Sequence, residues 1–116
     1  GDFDTYLKTG PDLPYPGFAQ CFANGLPASR AAVLAASQRP IAFSAGSDPS
    51  GVPAWKTIPS WSLIGTADRV IPPAEQLLMS KRASAHITEV NAGHLSLISH
   101  PAAVTRVINA AARAAG

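Results

Sequence analysis

The chain has 116 residues, 47% hydrophobic and 14% charged, with nine Lys plus Arg against seven Asp plus Glu for a net charge of +2. That is about one small domain's length and not the profile of a highly charged disordered segment. The basic residues are scattered singly apart from Lys81-Arg82, which argues against a surface that tracks nucleic-acid phosphates. A lone cysteine, Cys21, excludes an internal disulfide framework, and no apolar run approaches the ~18 residues of a membrane helix.

The chain opens on Gly-Asp-Phe-Asp, without a Met and without a basic-then-apolar leader. The expectation is that translation begins upstream, and that any signal peptide was removed or never present. A cytoplasmic location is expected, with export left open.

Residues 1–40 read as one unit. Gly10-Pro11, Pro14, Pro16 and Gly17 punctuate its first twenty-odd positions, which predicts irregular structure. Phe3, Tyr6, Leu7, Leu13, Tyr15, Phe18 and Phe22 lie among these breakers, so the segment is expected to wrap over a core or to form part of a lid or pocket wall. A helix is predicted from Pro27 to about Gln38. Pro27 suits a first helical turn, Ala31, Leu34, Ala35 and Gln38 make a mainly apolar stripe, and Pro40 ends it.

Residues 41–116 read as strand, helix, strand, helix. The Gly-, Pro- and Ser-rich stretch before Pro59 predicts loop, with a short element at Ile41 to Ser44. Trp61-Ser62-Leu63-Ile64-Gly65 is short, apolar and bounded by breakers, which predicts a strand. A helix follows from Pro73 to about Arg82. Glu75 stands in its first turn and Lys81 and Arg82 in its last, each suited to the helix dipole. Ala74, Leu77 and Leu78 are the expected inner face. His86 to Val90 is the second strand, broken by Asn91-Ala92-Gly93. The closing helix starts at Pro101, with Val104, Val107, Ile108 and Ala111 as its stripe.

Two strands joined through a helix imply parallel pairing. Parallel sheets are covered by helices on both faces, and two strands are few for such a sheet. The expectation is therefore the C-terminal part of something larger.

In open α/β sheets, chemistry gathers beyond the carboxyl ends of the strands. That rule selects Asp68, in the loop after the first strand, and His94, in the loop after the second, 26 positions on. A carboxylate that accepts the imidazole Nδ1 proton fixes the tautomer and leaves Nε2 free to take a proton from a nucleophile. Asp68 before Arg69 also fits a turn cap, and His94 after Gly93 also fits a helix start. Their order after consecutive strands is what favours a pair. His86 stands at the wrong end of its strand, and His100 approaches the closing helix. There is no HExxH and no helical His pair four apart, so no metal is expected. No Ser has Gly two before and two after, so the nucleophile elbow is missing. Ser47 lies in a turn, and Cys21 reads as a small buried hydrophobe.

Residues 55–73, from Trp55 through Gly65-Thr66-Ala67-Asp68-Arg69 to Pro73, resemble the acid-bearing strand and loop of α/β-hydrolases. Residues 91–101, Asn91-Ala92-Gly93-His94-Leu95 through Pro101, resemble their histidine loop. The run from about Tyr15 onward is similar to the C-terminal portion of bacterial serine hydrolases of the esterase and carboxylesterase-like branch. The resemblance implies an α/β fold, a parallel sheet flanked by helices. It assigns Asp68 as triad acid and His94 as triad base, in the chain order Ser, acid, His.

It further implies carboxylic ester hydrolysis without a cofactor. The serine and oxyanion hole would come from an N-terminal half of the same fold, on a preceding segment or a second chain. The expected partners are that half and a small-molecule ester, with no nucleic acid and no membrane. Phe18, Phe22, Val70, Ile71 and Leu95 are the expected pocket. Two alternatives stand beside this. One is a non-catalytic α/β-hydrolase-like interaction protein or inactive fragment. The other is a cofactor-free peroxidase or perhydrolase, or a lactone, amide or epoxide hydrolase.

Overall fold

A computed structural model describes residues 17–39 and 43–116. The expected wrapping of the first sixteen residues, and the start of the short element at Ile41, lie outside the described residues. Four helices and two strands follow in chain order: α1 (Ala28–Ala36), β1 (Trp61–Gly65), α2 (Pro73–Arg82), β2 (His86–Val90), α3 (Ser96–Ser99) and α4 (Pro101–Ala114). Single turns at Phe18–Phe22, Phe43–Gly46 and Ala54–Lys56 add to them.

The strands pair in parallel, with Trp61 opposite His86 and Gly65 opposite Val90. This is a small parallel sheet flanked by helices, as expected. Both α2 and α4 pack against β1. The ladder runs past the strands at both ends. His86 N–H donates to the Ser60 carbonyl at 2.8 Å, and Thr66 N–H to the Val90 carbonyl at 2.8 Å. β1 is the inner strand, with Ile64 at 1% exposure, whereas β2 is exposed over its first four residues.

Burial corrects two helix faces. In α2, Ala74 and Leu78 face solvent, the latter 61% exposed, and the buried residue is Ser80. The inward row is Pro73, Gln76, Leu77 and Ser80. Polar residues take it because they have polar partners there: Ser62 of β1 donates to Ser80 Oγ at 2.7 Å, and Ser80 donates to the Gln76 carbonyl. In α4 the stripe is rotated toward Ala103, which is buried, and Ile108 is 60% exposed.

Residues 17–23 are also more regular than the coil expected there. Cys21 N–H bonds the Gly17 carbonyl, and Ala23 N–H bonds the Phe18 carbonyl five residues back, both at 2.8 Å. This wide helical turn stacks Phe18 on Phe22, rings 5.6 Å apart and nearly parallel. Phe18, Ala23 and Ala31 form a buried cluster against which Phe22, Leu26, Leu34, Ala35 and Leu95 pack. A second feature stands between α2 and β2. Ser84 takes φ 50°, while Ser84 N–H bonds the Lys81 carbonyl and Ala85 N–H the Ser80 carbonyl. Those two bonds are a Schellman ending, with serine where glycine is usual.

Candidate active site

Beyond the carboxyl ends of the strands, the two loops are built as one piece. Ala67 N–H donates to the Ala92 carbonyl at 3.1 Å, directly after the Thr66–Val90 bond. The close approach requires Gly65, where a Cβ would lie 2.7 Å from the Ala92 carbonyl oxygen. Backbone on both sides leaves nothing to yield.

Asp68 sits in the first of these loops with its side chain 6% exposed. Its Oδ1 accepts from Val70 N–H at 2.7 Å and Ile71 N–H at 3.1 Å. This is the local turn that short acidic side chains favour. Its Oδ2 accepts from Gln76 Nε2 at 2.9 Å and from His94 Nδ1 at 3.0 Å. Four donors thus meet a group with about four lone-pair positions.

A carboxylate only accepts, so the bond to His94 requires the proton on Nδ1. In the neutral ring Nε2 is then the unprotonated nitrogen, available to a proton donor. The His94 side chain is 23% exposed, and the Phe22 ring meets it edge-on with centroids 4.8 Å apart. The imidazole is therefore constrained by a carboxylate at one atom and an aromatic ring at its side, while keeping some access.

A groove of about 530 Å³ borders both residues. It runs past Trp61, Leu63, Ile71, Met79 and Ser96 as well as Asp68 and His94. Of the five expected pocket residues, Ile71 borders this groove, and Val70 lies beside Asp68 through its N–H. Phe22 touches the imidazole. Phe18, 4% exposed, and Leu95 belong to the apolar cluster beneath. Arg69 Nη1 donates to the Gln20 carbonyl at 3.4 Å.

His86 stacks on Trp61 at the amino end of the sheet, with ring centroids 4.7 Å apart. His100 Nδ1 lies 2.8 Å from Ser99 Oγ at the start of α4. Among the described residues, no three His, Cys, Asp or Glu side chains gather as a metal-binding group, and no helix is long and apolar enough to cross a membrane.

Two polar residues at the site escape sequence reasoning. Gln76 holds Asp68 Oδ2 and, with the same nitrogen, the Ile71 carbonyl at 2.8 Å. No sequence signal marks it, because the apolar periodicity of α2 points to Ala74, Leu77 and Leu78 rather than to the row of Gln76 and Ser80. Asn24 donates from Nδ2 to the Ala67 carbonyl at 2.8 Å, and its Oδ1 accepts from His94 N–H at 3.4 Å. Nothing in its own neighbourhood marks it beyond the Asn-Gly turn signal.

Compared with known proteins, residues 2–107 match the family described as the alpha/beta hydrolase family. No curated protein matches the chain, and no solved structure does.

Proposed function

The chain belongs to the alpha/beta hydrolase family, and from that premise we propose that it serves the hydrolysis of carboxylic esters by Ser-His-Asp acyl transfer. Asp68 is the orienting acid and His94 the general base. The serine and the oxyanion donors come from an N-terminal half of the fold, on a preceding segment or a second chain. The observation that carries the reading is the 3.0 Å contact of Asp68 Oδ2 with His94 Nδ1, on a carboxylate whose other positions are already filled. Among the described residues of 1–40, Phe22 and Asn24 contact His94 and stand as a wall beside the pair.

The steps follow from the tautomer. The serine hydroxyl attacks the ester carbonyl carbon while His94 Nε2 takes its proton, and Asp68 stabilises the imidazolium that forms. The tetrahedral intermediate breaks its bond to the alcohol oxygen, which leaves with the proton from Nε2. Water then attacks the acyl-serine, giving its proton to Nε2. Collapse returns that proton to the serine oxygen and releases the acid. The groove along Trp61, Leu63 and Ile71 suits a small-to-medium acyl or aryl group.

The test is fluorophosphonate labelling and p-nitrophenyl ester turnover on the protein isolated from its source. Labelling of one serine, with turnover abolished in Asp68→Ala and His94→Ala, is the expected result. Near-normal turnover in Asp68→Ala sinks the reading. An absence of any reactive serine favours instead a non-catalytic member of the family, a reading supported by the missing Gly-x-Ser-x-Gly motif in these 116 residues.

A further inference from the structure

Among the described residues, Asn24 is the side chain outside the Asp68–His94 pair that hydrogen-bonds both loops. We infer that Asn24 is a positioning residue that sets the spacing of the acid loop from the histidine loop. The inference rests on the reading of Asp68 and His94 as the working pair.

A carboxamide presents a donor and an acceptor from one rigid plane. Here the donor end holds the carbonyl of Ala67, the residue before Asp68, and the acceptor end receives the N–H of His94 itself. The backbone is shaped to admit it. A Cβ on Gly93 would collide with Asn24 Oδ1 and with the Asn24 carbonyl, so glycine next to His94 is what lets the carboxamide approach. Asn24 is fixed from its own side as well. Gly25, at φ +86°, turns the chain so that Leu26 N–H bonds the Ala23 carbonyl at 3.1 Å. On the other side, Ala23 is 1% exposed and Phe22 lies against the imidazole.

The pair is consequently held by three segments of chain. Two of them, joined by Ala67 N–H and the Ala92 carbonyl, fix how far apart the loop backbones start. Asn24 fixes the two positions from which the side chains depart. Without its carboxamide, the Ala67 carbonyl and the His94 amide lose these partners, and the imidazole is left with freedom to leave Asp68. Aspartate in its place keeps the acceptor, loses the donor and sets a negative charge beside the Ala67 carbonyl. Leucine keeps neither end.

The test follows the His94 Nδ1–H resonance by ¹H–¹⁵N NMR in the intact protein, assigned by its loss in His94→Gln. In Asn24→Ala we expect the resonance to shift and its exchange with water to rise about tenfold, the change in opening that follows from losing one to two hydrogen bonds. Ala31→Gly, in the buried cluster but away from both loops, is the control for a merely structural role. It should lower the melting temperature and leave the resonance in place. Should Asn24→Ala fail to fold, Asn24→Asp, which loses only the donor to the Ala67 carbonyl, is expected to raise the exchange by a smaller factor in the same direction.

An unchanged resonance and exchange rate in the folded variant overturn the inference. So does an equal response in Ala31→Gly at matched loss of stability. In the complete enzyme, kcat falls in Asn24→Ala with KM held. Failure of the catalytic reading looks different: Asp68→Asn would retain ester turnover while the effect of Asn24 on the resonance persisted.

Discussion

The two loops at the carboxyl ends of β1 and β2 hold their side chains by opposite means. Asp68 is secured mostly by near neighbours, with Val70 and Ile71 two and three residues on and Gln76 eight. His94 is secured from afar, by Asp68 26 residues away, by Asn24 70 residues away, and by the ring of Phe22. A carboxylate can be oriented by the turn it starts, because its acceptors meet the next backbone donors. An imidazole has one proton to give and must be aimed by something already in place. The acid is thus the fixed point and the histidine the part that depends on the rest of the fold.

Removing the fixed point breaks the comparison most sharply. Asp68→Ala should lower ester turnover about 10⁴-fold, as loss of the orienting acid does in triads. Circular dichroism should remain that of the folded protein. A next test strikes the remote support. Gly93→Ala forces a Cβ into Asn24 and should cost about 1–3 kcal/mol in urea unfolding, the usual range for overpacking. It should also disturb His94 more than Asp68, read as loss of the Nδ1–H resonance while the Val70 and Ile71 amides stay protected from exchange.

Gln76→Ala probes the local support. Three of the four donors to Asp68 remain, so kcat should fall only about tenfold, the worth of one hydrogen bond to a charged group. A larger loss than in Gly93→Ala would reverse the ranking of local and remote support. The smallest effect is expected between the loops. Ser84→Gly relieves a left-handed residue and should stabilise by about 1 kcal/mol, with turnover unchanged, because Ser84 touches neither loop.

The same division explains what was legible in the sequence. β1, α2 and β2 follow the expected bounds because short apolar runs are closed by Pro and Gly, and Pro73 and Pro101 mark first helical turns. Their place beyond consecutive strand ends, with the family resemblance, is what brings Asp68 and His94 forward, and their side chains stand 3.0 Å apart. Their supports are not legible, because Gln76 and Asn24 act largely on backbone atoms, which carry no residue-specific signal. The inner row of α2 is misread for a related reason. A periodicity of apolar residues ranks Leu78 above Ser80, yet the neighbour across is the Ser62 hydroxyl. The turn at Phe18–Phe22 is hidden by Pro16 and Gly17, which read as coil, although two phenylalanines four apart are able to stack over one turn.

The ladder that continues from Gly65–Val90 into Thr66–Val90 and Ala67–Ala92 has a consequence for how such genes can change length. It pins Asp68 three residues beyond one strand end and His94 four beyond the other. One codon gained or lost within either count would carry a side chain past its partner, and no slack exists to absorb it. The helix and turns joining the strands lie outside both counts. Beyond Gln76, which holds Asp68 Oδ2, an insertion in that connection leaves the acid and the histidine facing each other. Length variation should therefore be best tolerated in the connection after Gln76 and lethal to the chemistry in two short tracts, a pattern that a scan of single-codon deletions through residues 66–94 would map directly.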